Sequence, residues 1–168
     1  EAAYIYARHP AWMDKPFFTH AVQPDLAAQF ADGAWRDRVQ NDGSTKTNEE
    51  ALQTNLKNLK ALYDAGVKIG FGTDAGAAPL RIPGFAEHRE LALMVDAGLT
   101  PVQAIQVATQ RAAQLLNLDD RGVLANGKRA DFIVLDGDPS QDIEATTRIR
   151  AVWQRGREVS GPVDAFRP

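Results

Sequence analysis

One segment limits the possible folds of this chain more than any other. Val67-Lys68-Ile69-Gly70-Phe71-Gly72 alternates strictly, with Val67, Ile69 and Phe71 on one face and Lys68, Gly70 and Gly72 on the other. That period of two belongs to a β-strand. The segment is set among helical patterns, so it reads as a buried parallel strand of an α/β layer. A lone strand cannot satisfy its own edges, and no companion strand is legible before residue 119. Either residues 1–46 hide further strands or its neighbours lie on another chain segment, and the second reading is favoured. A chain of 168 residues that opens on Glu1 rather than Met reads accordingly as a piece of something longer.

The surrounding patterns are helical. Thr47 and Glu50 have the spacing of a capping box, Leu52, Leu56, Leu59 and Leu62 recur at helical intervals, and Gly66 supplies a left-handed stop. After the strand, Ala75 to Gly84 reads as a loop containing Pro79 and Pro83. A second helix is expected from Ala86 to Ala97, ending at Gly98. A third opens on Thr100-Pro101-Val102-Gln103, with an apolar face of Val102, Ile105, Ala108, Ala112 and Leu115. Residues 1–46 carry little periodicity beyond a short helix around Leu26–Phe30, and Asn41-Asp42-Gly43-Ser44 reads as a loop. Beyond Leu118 the pattern turns to strands: Val123-Leu124, a turn at Asn126-Gly127, Ala130 to Leu135, Ile149 to Gln154, then Glu158-Val159 after a turn at Arg155-Gly156.

Composition removes several classes of function. Lys and Arg number 19 against 22 Asp and Glu, a net charge of −3, which disfavours a clamp on a nucleic-acid backbone. Cysteine is absent, so there is no disulfide framework, thiolate metal site or Cys nucleophile. No apolar run approaches a membrane span, and no secretory leader is legible. A soluble protein of cytoplasm or periplasm is the expectation. The four arginines Arg148, Arg150, Arg155 and Arg157 read as a solvated sheet face.

Chemistry points to the end of the strand. Continuing the alternation places Asp74 on the glycine-bearing face, at the C-terminal end, where α/β folds put metal ligands and general bases. The competing reading is local: Asp74 caps the loop by accepting the amides of Ala75 or Gly76. Gly70-Phe71-Gly72-Thr73-Asp74-Ala75 also fits the loose dinucleotide pattern G-x-G-x-x-G/A, but Pro79 and Pro83 deny it the helix that should follow. Three histidines are present, His9, His20 and His88, without an H-x-H or H-E-x-x-H motif. His9 and His20 read as structural or surface residues. His88, in Glu87-His88-Arg89-Glu90, reads as a solvated helix start or as the rim of a pocket near Asp74. Arg81, in a loop from Ala77 to Phe85, reads as exposed or as a contact for an anionic substrate group.

The ordered series Gly72-Thr73-Asp74-Ala75-Gly76, Glu87-His88-Arg89-Glu90-Leu91, Ala97-Gly98-Leu99-Thr100-Pro101, Ala108-Thr109, Gly127-Lys128-Arg129-Ala130-Asp131 and Asp136-Gly137-Asp138-Pro139 strongly resembles the C-terminal portion of the metal-dependent amidohydrolase superfamily. Its imidazolonepropionase-like and prolidase-like members are the nearest, and the likeness runs over about residues 47–160. It implies an α/β fold. Residues 1–118 would be the C-terminal part of a (β/α)8 TIM barrel, with 1–46 a variable region, and 119–168 would supply strands of a small β-sandwich. It implies hydrolysis of a C–N bond in an amide, cyclic amide or dipeptide, with Asp74 as metal ligand and proton shuttle and His88 and Arg81 as substrate contacts. The implied cofactor is a divalent metal, zinc, as one or two ions whose other ligands lie outside this chain. The histidines, Lys or Glu of the family's earlier strands have no counterpart here. The implied partners are the N-terminal portion of the same enzyme, a small-molecule substrate and further copies in a homo-oligomer, with no nucleic acid and no membrane. Two rival readings stand beside it: a non-catalytic binding or regulatory subunit that kept the fold, and a nucleotide-binding oxidoreductase domain.

Overall fold

In the computed structural model, residues 10–77 and 81–159 are described. Their order is a 3-10 turn at Pro10–Trp12, then helices α1 (Pro16–Ala21), α2 (Pro24–Ala31), α3 (Gly33–Asn41), α4 (Gly43–Asp64) and α5 (Phe85–Asp96). Helix α6 (Pro101–Gln106) runs through a π-helical turn, Val107–Arg111, into α7 (Ala112–Leu115). Strand β1 (Phe132–Leu135), a 3-10 turn (Ile143–Thr147), β2 (Ile149–Gln154) and β3 (Arg157–Glu158) complete the order.

The chain gathers into two compact bodies. One holds the described residues up to Asn58 together with Thr73–Glu87. Its core is aromatic: Phe18, Phe30, Trp35 and Phe85 are buried with Met13, Val22 and Ile82. Phe18 meets Phe85 edge to face at 4.9 Å between ring centroids, and Phe30 meets Trp35 at 5.3 Å. Such tilted pairs add to what area burial alone contributes. The other body holds Leu59–Gly72 and the described residues from His88. There Leu91, Ala92, Met94, Leu99, Ala104, Val107 and Ile143 form the core, with Ile69 and Phe71 packed against it.

Helix ends follow the local signals. Gly66 (φ 75°) closes α4: its amide reaches the Tyr63 carbonyl and the Val67 amide reaches the Leu62 carbonyl. Gly98 (φ 103°) closes α5 in the same way through Val95 and Met94. Both are Schellman ends. Thr100 and Gln103 form a reciprocal capping box, each side chain taking the other's amide, at 3.2 and 2.8 Å.

Other expectations are corrected. Thr47 lies inside α4, not at its start. Asp42 breaks α3 from α4 and its Oδ1 accepts the Ser44 amide at 2.7 Å, so the expected loop at Asn41–Ser44 shrinks to one non-helical residue. The third helix buries Ala104, Val107 and Ala113, while Val102 and Leu115 are exposed. The π turn inserts a residue's worth of rotation between the two α segments and shifts the buried stripe. Val123-Leu124 pairs with no strand among the described residues, and Leu124 is 74 % exposed. Gly127 (φ 79°) occupies a turn closed by the Lys128 amide on the Ala125 carbonyl.

The C-terminal strands form an antiparallel sheet in the order β1-β2-β3. Phe132 lies opposite Trp153, their rings stacked at 5.6 Å. The turn between β2 and β3 is Arg155-Gly156, with φ of 53° and 74°, the type I′ geometry of two-residue hairpins. Arg148, Arg150, Arg155 and Arg157 are all exposed, as expected.

The segment Val67–Gly72 has no ladder partner among the described residues. The expected strand does not form, and its alternation appears in burial only from Lys68 onward: Val67, expected inward, is 44 % exposed. Ile69, Phe71 and Thr73 are half-buried, while Lys68, Gly70, Gly72 and Asp74 are exposed. One side is covered by the core that includes Leu91 and Met94, and both edges are unpaired.

Candidate functional site

Asp74 stands where the alternation placed it, at the end of this segment on the exposed side. A Cβ at Gly72 would meet nothing within 4 Å, whereas one at Gly70 would come within 2.9 Å of Leu115 Cδ1. The two glycines therefore differ in purpose. Gly70 allows close packing against Leu115, and Gly72 borders open space.

The Asp74 backbone is left-handed, with φ 55°. An L-residue in that region costs about 1 kcal/mol, less for Asp than for most. Its side chain does not cap the loop. Thr73 Oγ1 takes the Ala75 amide at 3.1 Å, while the Asp74 carbonyl accepts the Ala77 amide at 3.1 Å. The Asp74 carboxylate instead forms an ion pair with the Arg81 guanidinium, with 70 % of its own side chain and 41 % of Arg81 exposed. The Gly76 amide reaches the Arg81 carbonyl at 2.8 Å, so the two arms of the loop are joined by backbone as well as charge.

A fourth residue binds this arrangement together. Glu87 accepts the Thr73 hydroxyl at 3.2 Å through Oε1 and the Gly84 amide at 2.7 Å through Oε2. By its position alone Glu87 is an acidic residue in the first turn of α5, favoured by the helix dipole. The available signal was its position three residues after Gly84, the reach-back half of a capping box.

Of the predicted site residues, Asp74 and Arg81 are brought together. His88 lies one residue beyond Glu87 on α5, half-buried with Nδ1 shielded from solvent, and belongs to the other body. His20 is exposed on α1. His9 lies outside the described residues, as does part of the Ala77–Phe85 loop.

Elsewhere in that second body, Arg89 is held by Asp96 at 3.3 Å and Glu144 at 3.6 Å. Burial pulls its guanidinium below the usual value, and the two carboxylates oppose that shift. Arg111 lies over the Tyr63 ring at 4.5 Å and donates to its hydroxyl at 3.0 Å. Both border a groove of about 610 Å³ that also includes Val67, Ile69 and Leu115. None of Asp74, Arg81 and His88 lines it.

Among the described residues, no three His, Cys, Asp or Glu side chains converge into a metal-binding group. An exposed carboxylate at a strand end suits a single ligand to a hard or borderline cation. The donors in view fit one contribution to a metal centre and not a complete one.

The profile of the amidohydrolase family matches residues 20–159. The chain belongs to the amidohydrolase family. It is 41% identical over 104 residues to an imidazolonepropionase from Deinococcus deserti, covering 60% of this chain and 26% of that protein. It is 32% identical over 126 residues to an adenine deaminase from Lysinibacillus sphaericus, covering 74% and 21%. Among solved structures, a Xaa-Pro dipeptidase with bound methionine in its active site superposes with a TM-score of 0.58 at 26% identity. That match covers 95% of this chain and 33% of the dipeptidase. The chain thus spans about a quarter of the length of these curated relatives. No helix among the described residues is long and apolar enough to cross a membrane.

Proposed function

We propose that this chain is the C-terminal part of a metal-dependent hydrolase that cleaves a C–N bond in a small molecule. The observation that carries the reading is Asp74: an exposed carboxylate at the end of an alternating segment that pairs with no strand among the described residues, held in a left-handed backbone by neighbouring contacts. In this reading residues 1–118 complete the end of a (β/α)8 barrel, and 119–168 give strands to a small β-sandwich. The absent portion of the enzyme supplies the remaining metal ligands and the strands that pair with Val67–Gly72.

Asp74 is the residue that would hold the metal, zinc in the first instance. A bound divalent ion supplies water acidic enough to be deprotonated near neutral pH. The same carboxylate would serve as the group that accepts a proton and returns it to the departing nitrogen. Arg81, paired with the carboxylate, holds it in place and is the first candidate for a contact to an anionic substrate group. His88 is the second candidate for a substrate contact. The relatives named above act on an imidazolone ring, on adenine and on a dipeptide bond to proline, and this trio defines the substrates to test.

The decisive experiment is Asp74→Asn in the complete enzyme, assayed on that panel with metal content measured alongside. Loss of a general base at the metal predicts a fall in kcat of about 10²- to 10⁴-fold. Near-normal turnover with metal retained would reject the assignment.

A further inference from the structure

We propose that Glu87 is the positioning residue for Asp74. Its carboxylate clamps the two arms of the loop, and the left-handed backbone of Asp74 depends on that clamp. The proposal rests on the reading of Asp74 given above and adds to it a residue that touches neither metal nor substrate.

The geometry runs through one hydroxyl. Thr73 Oγ1 donates to Glu87 Oε1 at 3.2 Å and accepts the Ala75 amide at 3.1 Å. It is therefore fixed on both sides of Asp74. The other oxygen of Glu87 takes the Gly84 amide at 2.7 Å and holds the returning arm that carries Arg81. A residue with φ 55° persists there only if its surroundings over-determine it. The contacts that do so are Thr73 to Ala75, Gly76 to Arg81 and Asp74 to Arg81. All of them lie on the two arms that Glu87 joins.

A simple cap does not account for this arrangement. Glu87 is the third residue of α5 and Gly84 the residue before it, so the bond to the Gly84 amide is half of a capping box. Gly84 has no side chain to complete the box. The second carboxylate oxygen goes instead to Thr73, fourteen positions away. An ionised carboxylate accepts both donors at once. A carboxamide has a single acceptor oxygen; with that oxygen on the Gly84 amide, its NH2 faces Thr73 Oγ1, which can then only accept from it. Glu87→Gln therefore removes the charge-assisted bond that the Thr73 hydroxyl donates and leaves a weaker, reversed contact, while conserving volume.

The test uses the complete enzyme with Glu87→Gln, Thr73→Val, the double variant, and Asp74→Asn as reference. Zn²⁺ is the probe, and its dissociation constant is measured by competition with a chelator. Residues that orient a metal ligand are worth 10- to 100-fold in affinity. We expect each single variant to weaken zinc binding by that factor, with the thermal midpoint within a few degrees of the parent. The double variant should be no weaker than the worse single, because both remove the same bond. Unchanged zinc affinity in the single variants overturns the proposal, and so do losses that multiply in the double. If Glu87→Gln does not fold, Thr73→Val decides alone on the same criterion. If Asp74→Asn binds zinc as the parent does, the role of Asp74 as ligand fails instead. Hydrogen exchange at the Ala75 and Gly84 amides then judges the clamp: faster exchange in Glu87→Gln keeps it, and unchanged exchange removes it.

Discussion

Two turns in this chain pay the same conformational cost for different ends. Asp74 (φ 55°) and Arg155 (φ 53°) are both non-glycine residues in the left-handed region, each with a left-handed glycine one or two positions on, Gly76 (φ 84°) and Gly156 (φ 74°). At Arg155 the conformation is what a two-residue hairpin requires, and the ladder between β2 and β3 holds it on both sides. At Asp74 no ladder flanks the turn among the described residues. Side chains hold it: Thr73, Arg81 and, through them, Glu87. Strain supported by strand pairing is part of the architecture, whereas strain held by a cluster of polar side chains around an exposed carboxylate points to chemistry.

The sharpest way to break this comparison is Asp74→Gly in the complete enzyme. Glycine adopts the left-handed backbone freely, so the variant should be as stable as the parent, or more stable by up to about 1 kcal/mol. Activity should fall by about 10³-fold or more, since the proposed ligand and base are both gone. Denaturant midpoints and turnover on one preparation check both halves. A variant that lost stability together with activity would place Asp74 with Arg155, as an architectural residue.

What the sequence reveals follows the same division. Gly66, Gly98, the Thr100–Gln103 box and the Arg155-Gly156 turn were legible because each is settled within a few residues. The alternation gave the faces from Lys68 to Gly72, with Ile69 and Phe71 inward, but not at Val67, which is exposed beside the end of α4. Partners were not legible: a parallel neighbour comes through a long crossover and leaves no local trace. Thr47 and Glu50 show the opposite failure. The capping-box spacing also fits mid-helix, and Asp42 wins because its carboxylate captures the Ser44 amide first. Asp74 was legible as a candidate from its place on the strand. The Asp74–Arg81 pair and the Glu87 clamp were not, since both depend on how the loop folds back.

Gly156→Ala tests the architectural turn. The added Cβ would meet only Ala130 Cβ, at 4.0 Å, so crowding is absent and the backbone alone is at stake. A cost of about 1 kcal/mol is expected, read as a shift in the urea midpoint with no change in turnover or zinc affinity. A loss of zinc affinity would show that the hairpin and the Asp74 loop are coupled.

The smallest effect separates the supports of the two turns by pH. Asp131 Oδ1 accepts the Arg155 amide at 2.8 Å, and its other oxygen pairs with Arg129. The hydrogen bond from Arg129, then that from the Arg155 amide, holds the Asp131 carboxyl below the usual carboxylate range. A depressed pKa contributes stability that is complete above the unfolded value near 4 and vanishes as pH falls through the lower folded value. Asp131→Asn should therefore be less stable than the parent at pH 7, and the two should converge as pH falls through the lowered folded value. Urea midpoints across that range measure the gap. A constant offset at every pH would mean that Asp131 supports the hairpin by shape rather than charge.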